Sequence, residues 1–315
     1  MKTKRLLASI AVATLSLSVA YPTDVFTPGF LKREFFPGIT SRQAVYDGAA
    51  GTPQLSALSS FQAPEGIGDN YAQRVSGFFI PATTGDYVFF VNADDDADLF
   101  LSTDDDPANK KLIAQEAGWS AARQWNAAGG APSDPFEKRS DFFSVSEWPT
   151  PNVITLTGGQ RYYIEAVHHE GGGGDNLAVY IKPALDPDPA NGDQPSAAGG
   201  SFGFFAAPAT VTFTQQPQSA TVVEGKNAEL TVDATTTSVY GIASYQWKRN
   251  GTPIPGATSS SFTLPVQALA DTGTRYSVDV LAAGAGAAQS AEATITVVPD
   301  TTPPVLLSAG SLKTF

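Results

Sequence analysis

The sequence predicts an all-β protein built from two β-sandwich domains in tandem. Two observations carry that expectation. Gly (29) and Pro (23) are abundant among the 315 residues, which favours many short strands joined by turns over long helices. Apolar, aromatic-rich runs of strand length recur between those turns, and hydrophobic residues make up 42% of the chain, enough for real cores. The length suits two domains, at about 150 residues each.

The chain begins with Lys2, Lys4 and Arg5 ahead of an apolar stretch from Leu6 to Val19. That stretch is short for a membrane span. Ser18 and Ala20 put small residues where a signal peptidase reads, so residues 1–20 are predicted to be a signal peptide cleaved before Tyr21. The expected destination is secretion, extracellular or at the cell surface, with no membrane insertion after cleavage.

The first sandwich is placed at 21–207. Between Arg74 and Asn92, two apolar runs flank Ala82-Thr83-Thr84-Gly85-Asp86, which reads as a hairpin. Asn152 to Leu156 and Arg161 to His168, joined at Thr157-Gly158-Gly159, read as a second pair. In the latter strand Tyr162, Ile164 and Ala166 share one face, while Tyr163, Glu165 and Val167 share the other. Gly171 to Gly174 makes a loop and Leu177 to Ile181 a returning strand. The proline-rich run Leu185 to Asp193 is linker-like. Gly200 to Phe205 is apolar again and is expected to pack back onto the first domain.

The second module is placed at 208–299. Asn250-Gly251 between Gln246–Arg249 and Thr252–Ile254 is a strong hairpin signal. A core tryptophan, Trp247, and the later Asp271, Gly273 and Tyr276 resemble the immunoglobulin-like fold with its tyrosine corner. Val232 and Val278 stand where that family often has cysteines, so packing is expected to replace the bridge. Residues 300–315 read as a linker and the start of a truncated further domain.

Net charge and cysteine content bound the function. The formal net charge of −12 repels phosphate backbones and anionic lipid, so nucleic acid is not an expected partner, whereas divalent cations suit it. With no cysteine, disulfides, thiol nucleophiles and thiolate metal sites are excluded. The run VNADDDADLFL holds three consecutive carboxylates, Asp94, Asp95 and Asp96, and then Asp98. Their mutual repulsion calls for solvent or a hard cation. The run is not an EF-hand, because Leu99 stands where that loop needs glycine. Asp104 to Asn109, a second acidic run, reads as a turn and helix start with aspartates capping amides before Pro107.

The run RVSGFFIPATTGDYVFFVNADDDADLFLSTDDDPANKKLI, then GWSAARQW, then GGQRYYIEAVHHEGGGGDNLAVYIK, resembles the protective-antigen fourteen-kilodalton (PA-fourteen) domain over about residues 25 to 205. That resemblance implies a β-sandwich that commonly binds carbohydrate. It also implies a calcium site at Asp94 and Asp95, often through a cis peptide, completed from the glycine loop by Asp175 and Asn176. Trp119, Arg123, Trp125 and Glu170 are the candidate ligand-binding residues: tryptophans can stack on sugar faces and Arg can bond hydroxyls. For Trp119 and Trp125, core packing is the competing reading.

Catalytic patterns are missing. His168 and His169 are the only histidines and, as neighbours on a strand, point to opposite faces. There is no HExxH, no GxSxG elbow and no phosphate-loop GK[ST]. The sequence therefore points to a non-catalytic glycan-binding or adhesion protein, calcium-dependent, with two alternatives. One is a structural spacer of a large exoprotein; the other is the carbohydrate-targeting part of a polysaccharide-degrading enzyme.

Overall fold

The computed structural model describes residues 23–196 and 199–302. The expected signal peptide and the strand expected from Val305 onward lie outside the described residues.

The first sandwich has a large sheet and a small one. In chain order its elements are β1 (Val25–Pro28), β2 (Leu31–Pro37), α1 (Arg42–Tyr46), β3 (Gln54–Leu58), β4 (Tyr71–Phe79), β5 (Gly85–Asp94), β6 (Ala97–Ser102), β7 (Lys110–Glu116), β8 (Ile154–Leu156), β9 (Tyr162–Glu170), β10 (Asn176–Pro183) and β11 (Phe202–Ala206). The large sheet runs β1-β11-β4-β9-β6-β7, with β2 on β4 and β3 on β2, and the small sheet runs β10-β5-β8. Inner residues of both meet in one core: Val75, Phe79, Leu99, Ile164 and Ala166 from the large sheet, Phe89, Val91, Leu177 and Val179 from the small. The opposite face of β5 is covered too, since Val88 and Phe90 pack with Trp125 and Ala178. That explains why β5 reads as a continuous apolar run rather than an alternating one.

Both hairpins expected in this domain are corrected by the structure. Strand β4 pairs with β2, β9 and β11, while β5 pairs with β10 and β8. Likewise β8 and β9 lie in different sheets. Each turn is an arch that carries the chain across the core, because two runs that both bury inner-face aromatics gain more by facing each other than by lying side by side. Tyr162, Ile164 and Ala166 do face the main core together, and Phe202–Ala206 does return to pair with β1 and β4.

The second sandwich comprises β12 (Val211–Gln215), β13 (Ala220–Val223), β14 (Glu229–Thr231), β15 (Asp233–Thr236), β16 (Ile242–Arg249), β17 (Thr252–Pro253), β18 (Ser261–Thr263), β19 (Arg275–Ala282), β20 (Ala288–Gln289) and β21 (Ala293–Val298). One sheet runs β13-β21-β19-β16-β17, with β20 on β19; the pairs β14-β18 and β12-β15 form the rest. Val232 and Val278 are buried with Trp247, whose indole N–H donates to Ser259 O at 2.9 Å. Apolar contact thus stands where a bridge might have been. Asn250 (φ 49°) and Gly251 (φ 80°) close the β16–β17 hairpin in the left-handed conformations that such a turn requires. Tyr276 lies buried beside Phe262, ring centroids 6.2 Å apart.

The two sandwiches touch through a small apolar cluster. Phe30, Phe204 and Ala206 of the first meet Ala283 and Tyr240 of the second, with the Phe204 and Tyr240 rings edge-on at 4.9 Å.

Candidate functional site

Strand register builds the site. Asp94 ends β5 and its antiparallel partner is Asn176, the first residue of β10. The Asp94–Asp95 peptide is cis, the geometry that the resemblance implied. The glycine loop between β9 and β10 closes over the pair, and Gly171 N donates to Asp95 Oδ2 at 2.9 Å. A Cβ at Gly174 would stand 2.9 Å from Asp94 Oδ2, and one at Gly171 would stand 3.1 Å from Asp95 Oδ2. The carboxylates occupy the room that larger residues would need.

Two buried side chains here lack partners. Asn176 is 4% exposed. Its Nδ2 donates to Ser120 O at 3.0 Å, which leaves Oδ1 without a partner. Glu170 is fully buried and neither carboxylate oxygen is hydrogen-bonded. Burial first, then the charges of Asp95 and Asp94, push Glu170 up to about 8. Burial, then Asp95, Asp175 and Glu116, push Asp94 up to about 6. These carboxylates repel one another in a partly dry place, and a divalent cation would relieve that repulsion. His168 does not: burial lowers it to about 4. It sits between Gln73 Nε2 at 2.9 Å and Asp94 O at 2.8 Å.

The donor chemistry fits calcium. Two carboxylates and an amide oxygen are the hard oxygen ligands that calcium takes. Among the described residues no three His, Cys, Asp or Glu side chains are grouped so as to hold a metal ion; the unpartnered Asn176 amide oxygen is the further oxygen donor beside Asp94.

Several sequence expectations change here. Asp175, expected as a metal ligand, is engaged elsewhere. Its Oδ2 accepts from Ile67 N at 2.8 Å, Gly68 N at 3.3 Å and the Tyr71 hydroxyl at 3.2 Å, and its Oδ1 accepts from Gly66 N. It clamps the 66–68 loop. Trp125, expected to stack on sugar, is fully buried and its indole N–H donates to Asp193 O at 3.1 Å. Its ring packs 5.7 Å from Tyr180, so it offers no free face. Glu170 is too deeply buried to touch a sugar and lies beneath the aspartate pair. Arg123 pairs with Glu65 at 3.2 Å and does not line the cleft described next. The second acidic run behaves as expected: Asp106 caps the short turn at Pro107–Asn109, accepting from Ala108 N at 2.9 Å.

Beside Asp95 opens a cleft of about 670 Å³. Its walls include Arg42 and Gln43 from α1, Asp96, Trp119 and His169. Trp119 is 47% exposed. Its indole lies against Gly130, where a Cβ would meet Nε1 at 2.0 Å, so the ring is held in place while part of its surface stays open. Arg42 and Gln43 were invisible as site residues from the sequence, because they stand about fifty positions before the acidic run. Only the fold of α1 against β4 and β9 brings them close.

No family model matches the chain. Fibrocystin of Mus musculus is 29% identical over 118 residues, which is 37% of this chain and 3% of fibrocystin. N-acetyl-beta-glucosaminyl-glycoprotein 4-beta-N-acetylgalactosaminyltransferase 1 of Mus musculus is 33% identical over 111 residues, 35% of this chain and 9% of that protein. The chain therefore spans only a small part of these relatives. Among solved structures, the epithelial adhesin 9 A domain from Candida glabrata in complex with Galb1-4GlcNAc aligns with a TM-score of 0.38 and 11% identity, covering 57% of this chain and 90% of that one. A chimeric titin Z1Z2 aligns with a TM-score of 0.24 and 29% identity, covering 29% of this chain and 95% of that one. At these scores the fold rests on the strand pairings above and not on the likeness.

Proposed function

We propose that this chain is an exported, non-catalytic glycan-binding protein of the PA-fourteen type whose sugar site depends on calcium. One observation carries the reading: the buried Oδ1 of Asn176 has no hydrogen-bond partner, its residue pairs with Asp94 across the β5–β10 register, and the next residue, Asp95, lines an open cleft. A calcium ion held by these oxygens would offer its free coordination positions to sugar hydroxyls. Trp119 supplies an apolar surface for a sugar's C–H face, and Gln43 and Asp96 supply polar partners for hydroxyls. A match to a transferase that acts on glycoprotein sugars is in keeping with a glycan context.

The second sandwich, docked through Phe204 and Tyr240, is proposed as a spacer or adhesive unit. Among the described residues no helix is long and apolar enough to cross a membrane. Secretion rests on the basic-then-apolar start of the chain.

A glycan array probed with calcium and again with a chelator tests the reading. Binding that disappears with chelator is expected. Binding that survives chelation removes the calcium role, and no binding in either condition removes the glycan role.

A further inference from the structure

Among the residues lining the cleft there is one arginine and no lysine. That arginine, Arg42, is not free to receive a ligand. Its Nη2 meets Asp96 Oδ2 at 2.7 Å and its Nη1 meets Asp98 Oδ1. The side chain is only 17% exposed. Both carboxylates are fixed from behind. Asp96 Oδ1 bonds His169 Nδ1 at 3.0 Å, and Asp98 accepts from Gln115 Nε2 at 2.5 Å and from the Tyr46 hydroxyl. One guanidinium is thus shared between two carboxylates, and this wall keeps an excess of negative charge.

We propose that Asp96 and Asp98 set the ligand class of the cleft: by occupying Arg42 they bar acidic sugars and restrict the site to neutral and amino sugars. This rests on the glycan-binding reading above. A uronate or sialate carboxylate is bound best by a guanidinium that can offer two parallel N–H donors. Here both terminal nitrogens are already ion-paired, with Asp96 and Asp98, and an incoming carboxylate would meet these two others at close range. Like charges juxtaposed in a partly desolvated site disfavour binding. A neutral sugar meets no such penalty, because its hydroxyls can donate to the remaining lone pairs of the Asp96 carboxylate, which is 26% exposed. A protonated amino sugar gains from the same excess charge.

The test is calorimetric titration, with calcium present at neutral pH, of neutral, amino-sugar and uronate oligosaccharides into the whole chain. The native protein is expected to bind the non-acidic ligands at least tenfold more tightly than the uronates. Asp98→Asn and Asp96→Asn each release part of Arg42 and should raise the uronate-to-neutral affinity ratio about tenfold. Adding Arg42→Gln to Asp98→Asn should take that gain away. Asp105→Asn removes the same charge away from the cleft and should leave the ratio alone, which separates local pairing from bulk charge. A native preference for uronates overturns the proposal. So does an unchanged ratio in both aspartate variants when their circular dichroism matches the native chain. Failure of every sugar to bind removes the glycan reading and this inference together, whereas a reversed preference removes the inference alone.

Discussion

The side-chain amide of Asn176 donates to the backbone carbonyl of Ser120 at 3.0 Å, and this bond ties the proposed cation site to the residue next to Trp119 of the cleft wall. It holds the Asn176 nitrogen, so the oxygen is the atom left to meet an ion. Ser120 follows Trp119 in the chain. Its hydroxyl donates to Glu116 at 2.7 Å and accepts from Asn92 Nδ2 at 2.6 Å and Lys138 Nζ at 3.0 Å. One buried network therefore positions both the proposed metal donor, Asn176, and the chain at Trp119.

Calcium removal should lower stability. A ligand present at a hundred times its Kd stabilises by about 2.7 kcal/mol, about 5–10 °C in melting temperature for a domain of this size. A chelator should lower the melting temperature by that order. In Asp95→Ala, calcium and chelator should give the same curve. Equal native curves with and without chelator would count against the site.

Glu170 should make the calcium-free protein less stable as pH rises. Its ordinary value is 4.5 and its folded value about 8, so between these the folded state holds more protons than the unfolded one. Stability then falls with rising pH. Above about pH 7.5 the titrations of Asp94 and His168 are both past: Asp94 has a folded value of about 6, and His168, lowered from 6.5 to about 4, has completed its opposing contribution, so Glu170 dominates. Melting scans in chelator should show a decline toward pH 8 that Glu170→Gln flattens.

Asp175→Ala should destabilise the first sandwich whether or not calcium is present. The change strips the backbone amides of 66–68 and the Tyr71 hydroxyl of their shared acceptor. Hydrogen bonds to a charged group are worth about 1.5–3 kcal/mol, so a loss of about 2–4 kcal/mol is expected in urea unfolding. A loss seen only with calcium would restore Asp175 as a ligand.

Trp119→Ala should weaken glycan binding about tenfold, near the upper value of about 1.5 kcal/mol for an aromatic contact, with little change in melting temperature. Trp125, Trp148 and Trp247 are buried, so emission changes on saturation with sugar should report Trp119 and vanish in Trp119→Phe.

Lys138→Met should be severe. Lys138 and Glu116 are both fully buried, 3.5 Å apart, and removing one partner of such a pair costs about 3–5 kcal/mol. Denaturant unfolding measures this. Sugar affinity should fall as well, since the same network holds Trp119.

The sequence by itself determined the strand-and-turn character, the Asn250-Gly251 hairpin, the inward face of Tyr162, Ile164 and Ala166, and the nearness of Asp94 and Asp95. All of these are local: they follow from a period of two, from turn residues or from adjacency in the chain. Tertiary structure decided the rest. It turned the two expected hairpins of the first domain into arches, because a strand chooses its sheet by which faces can share a core. It set Asn176 in register with Asp94 and left Asp175 as a clamp on the 66–68 loop, although the two are neighbours, since β10 begins at Asn176 and Asp175 is still in the loop before it. It buried Trp125 and exposed Trp119, and it carried Arg42 across from a distant helix to meet Asp96 and Asp98. Burial and long-range pairing depend on what the rest of the chain brings to the same place, and no local pattern records that.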